Sequence, residues 1–337
     1  MARPTIRDIA EAAGVSKPAV SYALNGRPGV SPETRARILA IADELGWVPS
    51  SAARALSNSR AEAVGLIAVR SPELVATEPF FIRLVAGIER SLAKRGVALL
   101  LTVLSDSSGE MELYRRWWGS RRVDGVLMLD MRSRDPRPAW VRESGAPAVI
   151  IGAQRHHRGI ASTRSSPNSA MWSAVEHLHE LGHRRIARVR GPQRYEHLAL
   201  RSDCFVKVCL ELLGEEQVQV ESDLTAESGV LASRELLASP EPPTAIIYDN
   251  DVMAVASVAA LTSEGVAVPR DVAIIAWDDS PLCTLVRPTV TAFTRDFVEE
   301  GAMATDLLLA RIDGAPIADR ELPSARLIVR ESTVAPV

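Results

Sequence analysis

TIRDIAEAAGVSKPAVSYALNGRPGVSPETRARILAIADELG, residues 5–46, carries three helix starts and three helix stops in close succession. Thr5 is placed as an N-cap, and Asp8, three positions on, returns a bond to it in a variant capping box. Ile6, Ile9, Ala10 and Ala13 follow at helical spacing, and Gly14 supplies the left-handed exit. Val15 reads as a buried plug in the turn, and Ser16 caps a second helix, KPAVSYALN (17–25). Pro18 falls in its first turn, where a backbone N–H has no intrahelical partner. Val20 and Leu24 face inward at i, i+4, which leaves Lys17, Pro18, Ser21 and Tyr22 near the outer face. Ser31-Pro32-Glu33-Thr34 opens a third helix with a cap, a proline at its first position and an acid favoured by the helix dipole. Ile38, Ile41 and Leu45 form its apolar stripe and Gly46 ends it. Two helices joined by a tight glycine-containing turn and buttressed by a third make a helix-turn-helix, whose second helix enters the major groove of DNA. The same pattern also fits a small helical bundle used for protein contacts.

Charge bears on that choice. The 337 residues suit two or three structural units, and 39 basic against 42 acidic side chains leave a net charge of −3. The segment from Met1 to Arg60 holds eight basic and five acidic groups, a net of +3, so the rest, with 31 and 37, carries −6. A basic head on an acidic body points to a nucleic-acid-binding module, with DNA contact confined to that segment. Lys17, Lys94 and Lys207 are the only lysines, an arginine bias best read as genomic. With 47% apolar and 24% charged residues, the composition is that of a soluble globular protein.

Other function classes lack their parts. Cys204, Cys209 and Cys283 form no CxxC pair, so neither a disulfide framework nor a zinc site is expected, and a reducing cytoplasm fits best. Asp8 and Glu11 stand where a secretory signal needs an apolar core, and no apolar stretch approaches the roughly 18 residues of a membrane helix. GxGxxG, GxxxxGK[ST] and GxSxG are all absent, which speaks against an enzyme on a nucleotide-binding or hydrolase scaffold. His177, His179 and His183 end a helix that stops at Gly182, and read as solvated histidines favourable to the helix dipole. No metal or cofactor is expected.

The run TIRDIAEAAGVSKPAVSYALNG, continued by GVSPETRARILAIADELGWVPSSAARALS, resembles the DNA-binding region of the lactose-repressor (LacI) family of bacterial transcription regulators, without a gap from Thr5 to Ser57. By that resemblance Lys17, Pro18 and Tyr22 face base edges in the major groove, Pro18 through shape and apolar contact. Thr5, Ser16, Ser21, Asn25, Ser31 and Thr34 mostly touch the DNA backbone, fixing register without specifying sequence. Ala19 departs from the family's frequent threonine, with the loss of one phosphate or thymine-methyl contact. PSSAARAL (49–56) resembles the family's hinge helix, with Ala53, Arg54 and Leu56 matching. Isolated helices below about 12 residues are marginal in water, so this one is expected to order when two copies pack on DNA. Leu56 is then the wedge that enters the minor groove and kinks the duplex.

Beyond Arg60, short apolar runs alternate with amphipathic segments such as FIRLVAGIERSLAKRG. VGLIAV (64–69), VALLLTV (97–103), DGVLMLD (124–130), APAVIIG (146–152), RIARVR (185–190), TAIIYD (244–249) and VAIIAWD (272–278) are the strand candidates. Such alternation predicts an α/β body of two doubly wound parallel sheets, with a ligand cleft beyond the carboxyl ends of the strands. RRVDGVLML, AVEHLHELGHRRIA, RSDCF, YDNDVMAVA, VPRDVAIIAWDDS, RPTVTAF and LIVREST extend the resemblance to the end of the chain. The body is thereby similar to periplasmic sugar-binding proteins, with three crossovers between lobes near residues 160, 290 and 323. The implied organisation is a helix-turn-helix domain at 1–48, a hinge at 49–60, one sensor lobe at 61–160 and 290–323, and a second at 161–289 and 324–337.

The resemblance also implies an effector site. Arg201 corresponds to an arginine that clamps effector hydroxyls or carboxylates, Asn250 and Asp278 to polar positions at strand ends, and Phe80 to an aromatic lining position. Ser166-Pro167, Cys204 and Arg295 depart from the family pattern, where Asp-Asn, Gly and Gln are frequent. Arg295 suits an anionic effector or a surface salt bridge. The expectation is a homodimeric repressor on a pseudo-palindromic operator, controlled by a small molecule such as a sugar, whether as inducer or corepressor. The chain ends at Val337 without a heptad tail, which favours a dimer over a tetramer. A transporter's solute-binding protein is the rival reading, against which the N-terminus and the helix-turn-helix both speak.

Overall fold

A computed structural model describes residues 4–47 and 60–334, and the chain divides into two compact units, residues 1–61 and 62–337. In the first, α1 (Ile6–Ala13), α2 (Lys17–Leu24) and α3 (Pro32–Glu44) enclose a core of Ile9, Ala10, Ala13, Val20, Ala23, Ile38 and Ala42. The Asp8 carboxylate accepts the Thr5 backbone N–H at 2.7 Å, and Ser16 Oγ and Ser31 Oγ accept the N–H groups of Ala19 and Thr34. Gly14 exits α1 at φ +62°, as its position between the helices requires. One apolar assignment changes. Leu45 is exposed, and Ala42 with Trp47 takes its place, because the left-handed Gly46 (φ +62°) folds the chain back until the Trp47 N–H reaches Ala42 O at 2.8 Å.

The second unit holds two six-stranded sheets. In the first, all strands run parallel in the order β11 (Arg320–Glu321), β5 (Ala161–Arg164), β4 (Ala148–Ala153), β3 (Gly125–Met128), β1 (Ala63–Val69), β2 (Ala98–Leu104). The second has the order β12 (Arg326–Ile328), β10 (Thr291–Thr294), β9 (Ala273–Ala276), β8 (Ala245–Tyr248), β6 (Ile186–Arg190), β7 (Gln219–Glu221), with only β12 antiparallel. Helices cover both faces of each sheet. On the first, α5 (Pro79–Ala93) and α13 (Phe297–Ile312) bury Leu84, Ile88 and Leu308 on one side, while α6 (Glu110–Gly119) and α7 (Arg137–Ser144) bury Trp117 and Trp140 on the other. On the second, α8 (Asn168–Glu180) and α9 (Glu196–Leu213) oppose α10 (Ala226–Leu237) and α11 (Asp251–Ser263). Two short helices, α4 (Pro72–Thr77) and α12 (Leu282–Leu285), complete the set.

The chain passes between the sheets after β5, after β10 and after β11, at 165–167, 295–296 and 322–325. The first two crossings therefore fall later than residues 160 and 290. Ala161–Arg164 is not among the strand candidates of the sequence, yet it forms β5 with Ser162 and Thr163 fully buried. Their hydroxyls are satisfied inside, Ser162 Oγ by Asp319 at 2.8 Å and Thr163 Oγ1 by the Gly152 N–H at 2.9 Å, so a strand forms where no apolar run announces one. Among the described residues no helix is long and apolar enough to cross a membrane, and no group of three or more His, Cys, Asp or Glu could hold a metal ion. His177 Nε2 meets Thr333 Oγ1 at 3.0 Å and His183 Nδ1 meets Thr244 Oγ1 at 2.9 Å. Burial lowers the pKa of both, so they are neutral links between elements rather than solvated charges at a helix end.

Candidate functional site

Parallel strands in both sheets deliver their carboxyl ends to one cleft. Arg70 follows β1, Asp130 follows β3, Asp249 and Asn250 follow β8, Trp277 and Asp278 follow β9, and Arg295 follows β10. These residues, with Glu78, Phe80, Tyr195, His197, Arg201, Phe297 and Glu300, surround about 1340 Å³ of empty space, part of it open to solvent. All five expected effector residues, Phe80, Arg201, Asn250, Asp278 and Arg295, line this cleft.

Asp249 organises the second lobe's wall. Its carboxylate accepts Arg188 Nη2 at 2.5 Å and the Gly191 N–H at 2.8 Å, while Arg201 Nη1 donates to its backbone carbonyl at 3.2 Å. Burial would raise the Asp249 carboxyl, but the Arg188 and Arg201 guanidiniums outweigh it and hold it below its ordinary range. Burial pulls Arg201 down to about 10, which leaves it charged at neutral pH. Its guanidinium lies over the Trp277 ring, 4.2 Å from the centroid, so Arg201 is fixed before any ligand arrives.

Asn250 is committed at both ends of its amide. Oδ1 accepts the Met253 N–H as the N-cap of α11, and Nδ2 donates to Leu224 O at 2.8 Å. Asp278 is the converse. It sits at φ +72°, its Oδ1 has no hydrogen-bond partner, and the nearest cation, Arg295 Nη1, is 4.0 Å away. Burial raises its pKa. Arg295 donates to Glu300 at 2.9 Å and stacks over Phe297 at 4.8 Å. It is thus a partly buried cation paired with Glu300 on the cleft wall, not an ion pair on the open surface. Phe80 stands between Arg70, 4.7 Å from its centroid, and Phe297 at 5.4 Å.

Sequence reading missed Arg70, Glu78, Asp130, His197, Asp249, Trp277 and Glu300. Arg70 pairs with both Glu78 and Asp130. Burial, with Asp130, Asp278 and Asp251 nearby, outweighs Arg70 and lifts the Glu78 carboxyl to about 7. Burial also lowers His197 to about 4. A usable signal existed for some of them: a charged residue directly after an apolar strand core, as at Arg70, Asp130 and Asp249.

In the first unit, Lys17, Pro18, Tyr22 and Asn25 are exposed on or beside α2, and Ser21 is half-buried. Thr5, Ser16 and Ser31 are the N-caps of the three helices, and Thr34 Oγ1 accepts the Ser31 hydroxyl at 2.9 Å. Each of these helix N-termini carries a hydroxyl cap, and at α2 Lys17 directly follows it, a combination suited to phosphate. Ala53, Arg54 and Leu56 lie outside the described residues.

The family described as "Bacterial regulatory proteins, lacI family" matches residues 5–50, and the "Periplasmic binding protein-like domain" matches residues 175–333. The chain is 32% identical to the HTH-type transcriptional regulator CelR of Thermobifida fusca, over 98% of each chain. Among solved structures it resembles a transcriptional regulator CelR–cellobiose complex (31% identity, TM-score 0.73, 98% of this chain and all of that one). It also resembles the lac repressor dimer bound to operator and the anti-inducer ONPF (26% identity, TM-score 0.86, 99% of this chain and all of that one).

Proposed function

The chain belongs to the lacI family of bacterial regulatory proteins, and from that premise we propose that it is a cytoplasmic, homodimeric transcription repressor whose operator affinity is set by a sugar bound between the lobes of its body. The observation that carries this reading is the cleft. Charged and aromatic side chains from the strand ends of both sheets converge on it, so a bound molecule touches both lobes and favours one lobe arrangement over another. Arg201 and Asp278 are the direct effector contacts, one a fixed donor and one an unfilled acceptor, with Phe80 and Arg295 shaping the wall and Asn250 holding α11 in place. The relative whose structure is a complex with cellobiose supports a saccharide effector.

On the DNA side, Lys17, Pro18 and Tyr22 read base edges, and Thr5, Ser16, Ser21, Asn25, Ser31 and Thr34 hold the backbone. Ala53, Arg54 and Leu56 form the hinge, with Leu56 as the minor-groove wedge. The function is binding and switching, not turnover, so a ligand should shift the thermal transition without being converted. The test is operator selection from random DNA with the purified chain, repeated in the presence of sugars. A two-fold-related site whose affinity moves with one sugar is the expected outcome, and failure to select any such site overturns the reading.

A further inference from the structure

Besides the three covalent crossovers, the lobes are joined by a non-covalent clasp. The loop after β3 and the segment before α9 form an antiparallel bridge at Arg132 and Tyr195, in which the Ser133 N–H donates to Arg194 O at 3.1 Å and the Glu196 N–H donates to Met131 O at 2.8 Å. The Glu196 side chain reaches back to the first lobe at the same place. Oε1 pairs with Arg155, and Oε2 lies 3.5 Å from His157 Nε2, with both the Glu196 and His157 side chains less than a tenth exposed. Met131, Arg194, Tyr195 and Glu196 all line the cleft.

The first lobe's half of the clasp is braced from beneath by ionic groups that the cleft itself does not use. Arg137, 1% exposed, donates to Leu129 O at 2.9 Å and to Asp135 Oδ2 at 2.6 Å. Asp135 accepts the Arg132 N–H at 3.1 Å, and Glu110, also 1% exposed, pairs with both Arg132 and Arg137. Burying so many charges is costly unless each is paired, and the arrangement holds residues 129–135 in one conformation. A loop frozen in this way presents its carbonyl and N–H to the other lobe as a preformed strand edge.

We propose that Glu196 is a latch, the positioning residue that locks the lobes together across the cleft, so that the cleft opens only when Met131–Ser133 and Arg194–Glu196 part. That this governs effector entry rests on the cleft being the effector site; the clasp itself does not. Hydrogen exchange on the full-length protein, without ligand, tests it. Glu196→Gln keeps the side chain's shape and removes its charge, and Arg155→Gln removes the partner charge, with a shorter side chain, from the opposite lobe. Each variant should raise exchange about tenfold in both clasp segments, residues 131–136 and 193–199, while peptides in β1 and β8 keep wild-type protection. A purely local role would raise exchange only in the substituted lobe's segment, and that result, or unchanged exchange in both, overturns the proposal. Loss of protection across the β1 and β8 peptides as well would show a fold-wide role, and would also overturn it. Failure of the sugar screen would leave these exchange patterns intact, so the two readings fail separately.

Discussion

At the scale of single residues the cleft is a set of charges whose protonation is decided by burial set against the charges packed beside them. Asp249 is the clearest case, since Arg188 and Arg201 beside its fully buried carboxylate outweigh the burial. Asp249→Ala should destabilise the body by about 3–5 kcal/mol in urea denaturation, the usual cost of leaving a buried charge unpaired; a loss under about 1 kcal/mol would mean that Arg188 finds another partner. Glu78 and His197 shift in opposite directions with opposite consequences. Glu78 is raised from 4.5 to about 7, so its stabilising contribution is complete below pH 4.5 and lost as pH rises through 7. His197 is lowered from 6.5 to about 4, so its contribution is complete above pH 6.5 and lost as pH falls through 4. The stability difference between wild type and Glu78→Gln should therefore shrink as pH rises from 4.5 to 7, and that against His197→Gln should shrink as pH falls from 6.5 to 4. Difference curves flat across pH 4–7 would refute both assignments. Asp249 is visible in sequence as a charge after a strand core but its pairing is not, because an Asp near a strand end looks alike whether water or an arginine 61 positions away faces it, as Arg188 faces Asp249.

At the scale of elements the helices were legible and their contacts were not. Caps, proline positions and glycine exits are local, and they place α1, α2 and α3 within a residue or two. Tyr22 remains exposed on α2, with its ring packed 3.3 Å from where a Cβ on Gly29 would sit. Tyr22→Ala should leave the head's helical circular dichroism unchanged and weaken operator binding by about 1–3 kcal/mol, the range of a good base contact, with little effect on non-specific DNA; equal loss on both DNAs would move Tyr22 to the backbone contacts. No comparable signal announces how α5 meets α13, which lies near the other end of the chain. A Cβ on Gly87 would lie 2.0 Å from Val298 O, and one on Gly301 would lie 2.3 Å from Leu84 O. Each glycine lets the other helix's backbone approach, so Gly87→Ala or Gly301→Ala should cost at least about 1–3 kcal/mol through overpacking. Thermal denaturation of either variant at the wild-type midpoint would refute the close approach.

For the whole molecule, the net charge of −3 divides into +3 on the segment Met1 to Arg60 and −6 on the rest, which confines the salt-dependent attraction to DNA to the head. Each unit also owns its core, a set of small and branched residues in the head and four clusters in the body. Residues 62–337 alone should therefore fold, show a cooperative thermal transition, and keep whichever sugar response the full chain has while losing operator binding; an unfolded fragment would show that the body's core depends on the head. The sequence alone determined the three helices of the head and the alternation of strand and helix, because each is written in neighbours a few positions apart, and the charge division, which needs only a count. It also pointed, by resemblance, to five residues that do line one cleft. Tertiary structure alone decided where the crossings fall, which carboxylates pair with which arginines, that Arg295 meets Glu300, and that Glu196 reaches Arg155 and His157. Those facts depend on strand order, which brings together residues 41 and 157 positions apart, as in Arg155–Glu196 and Ser162–Asp319. The free energy of such a contact depends on the burial around it, a property that no short stretch of chain possesses by itself.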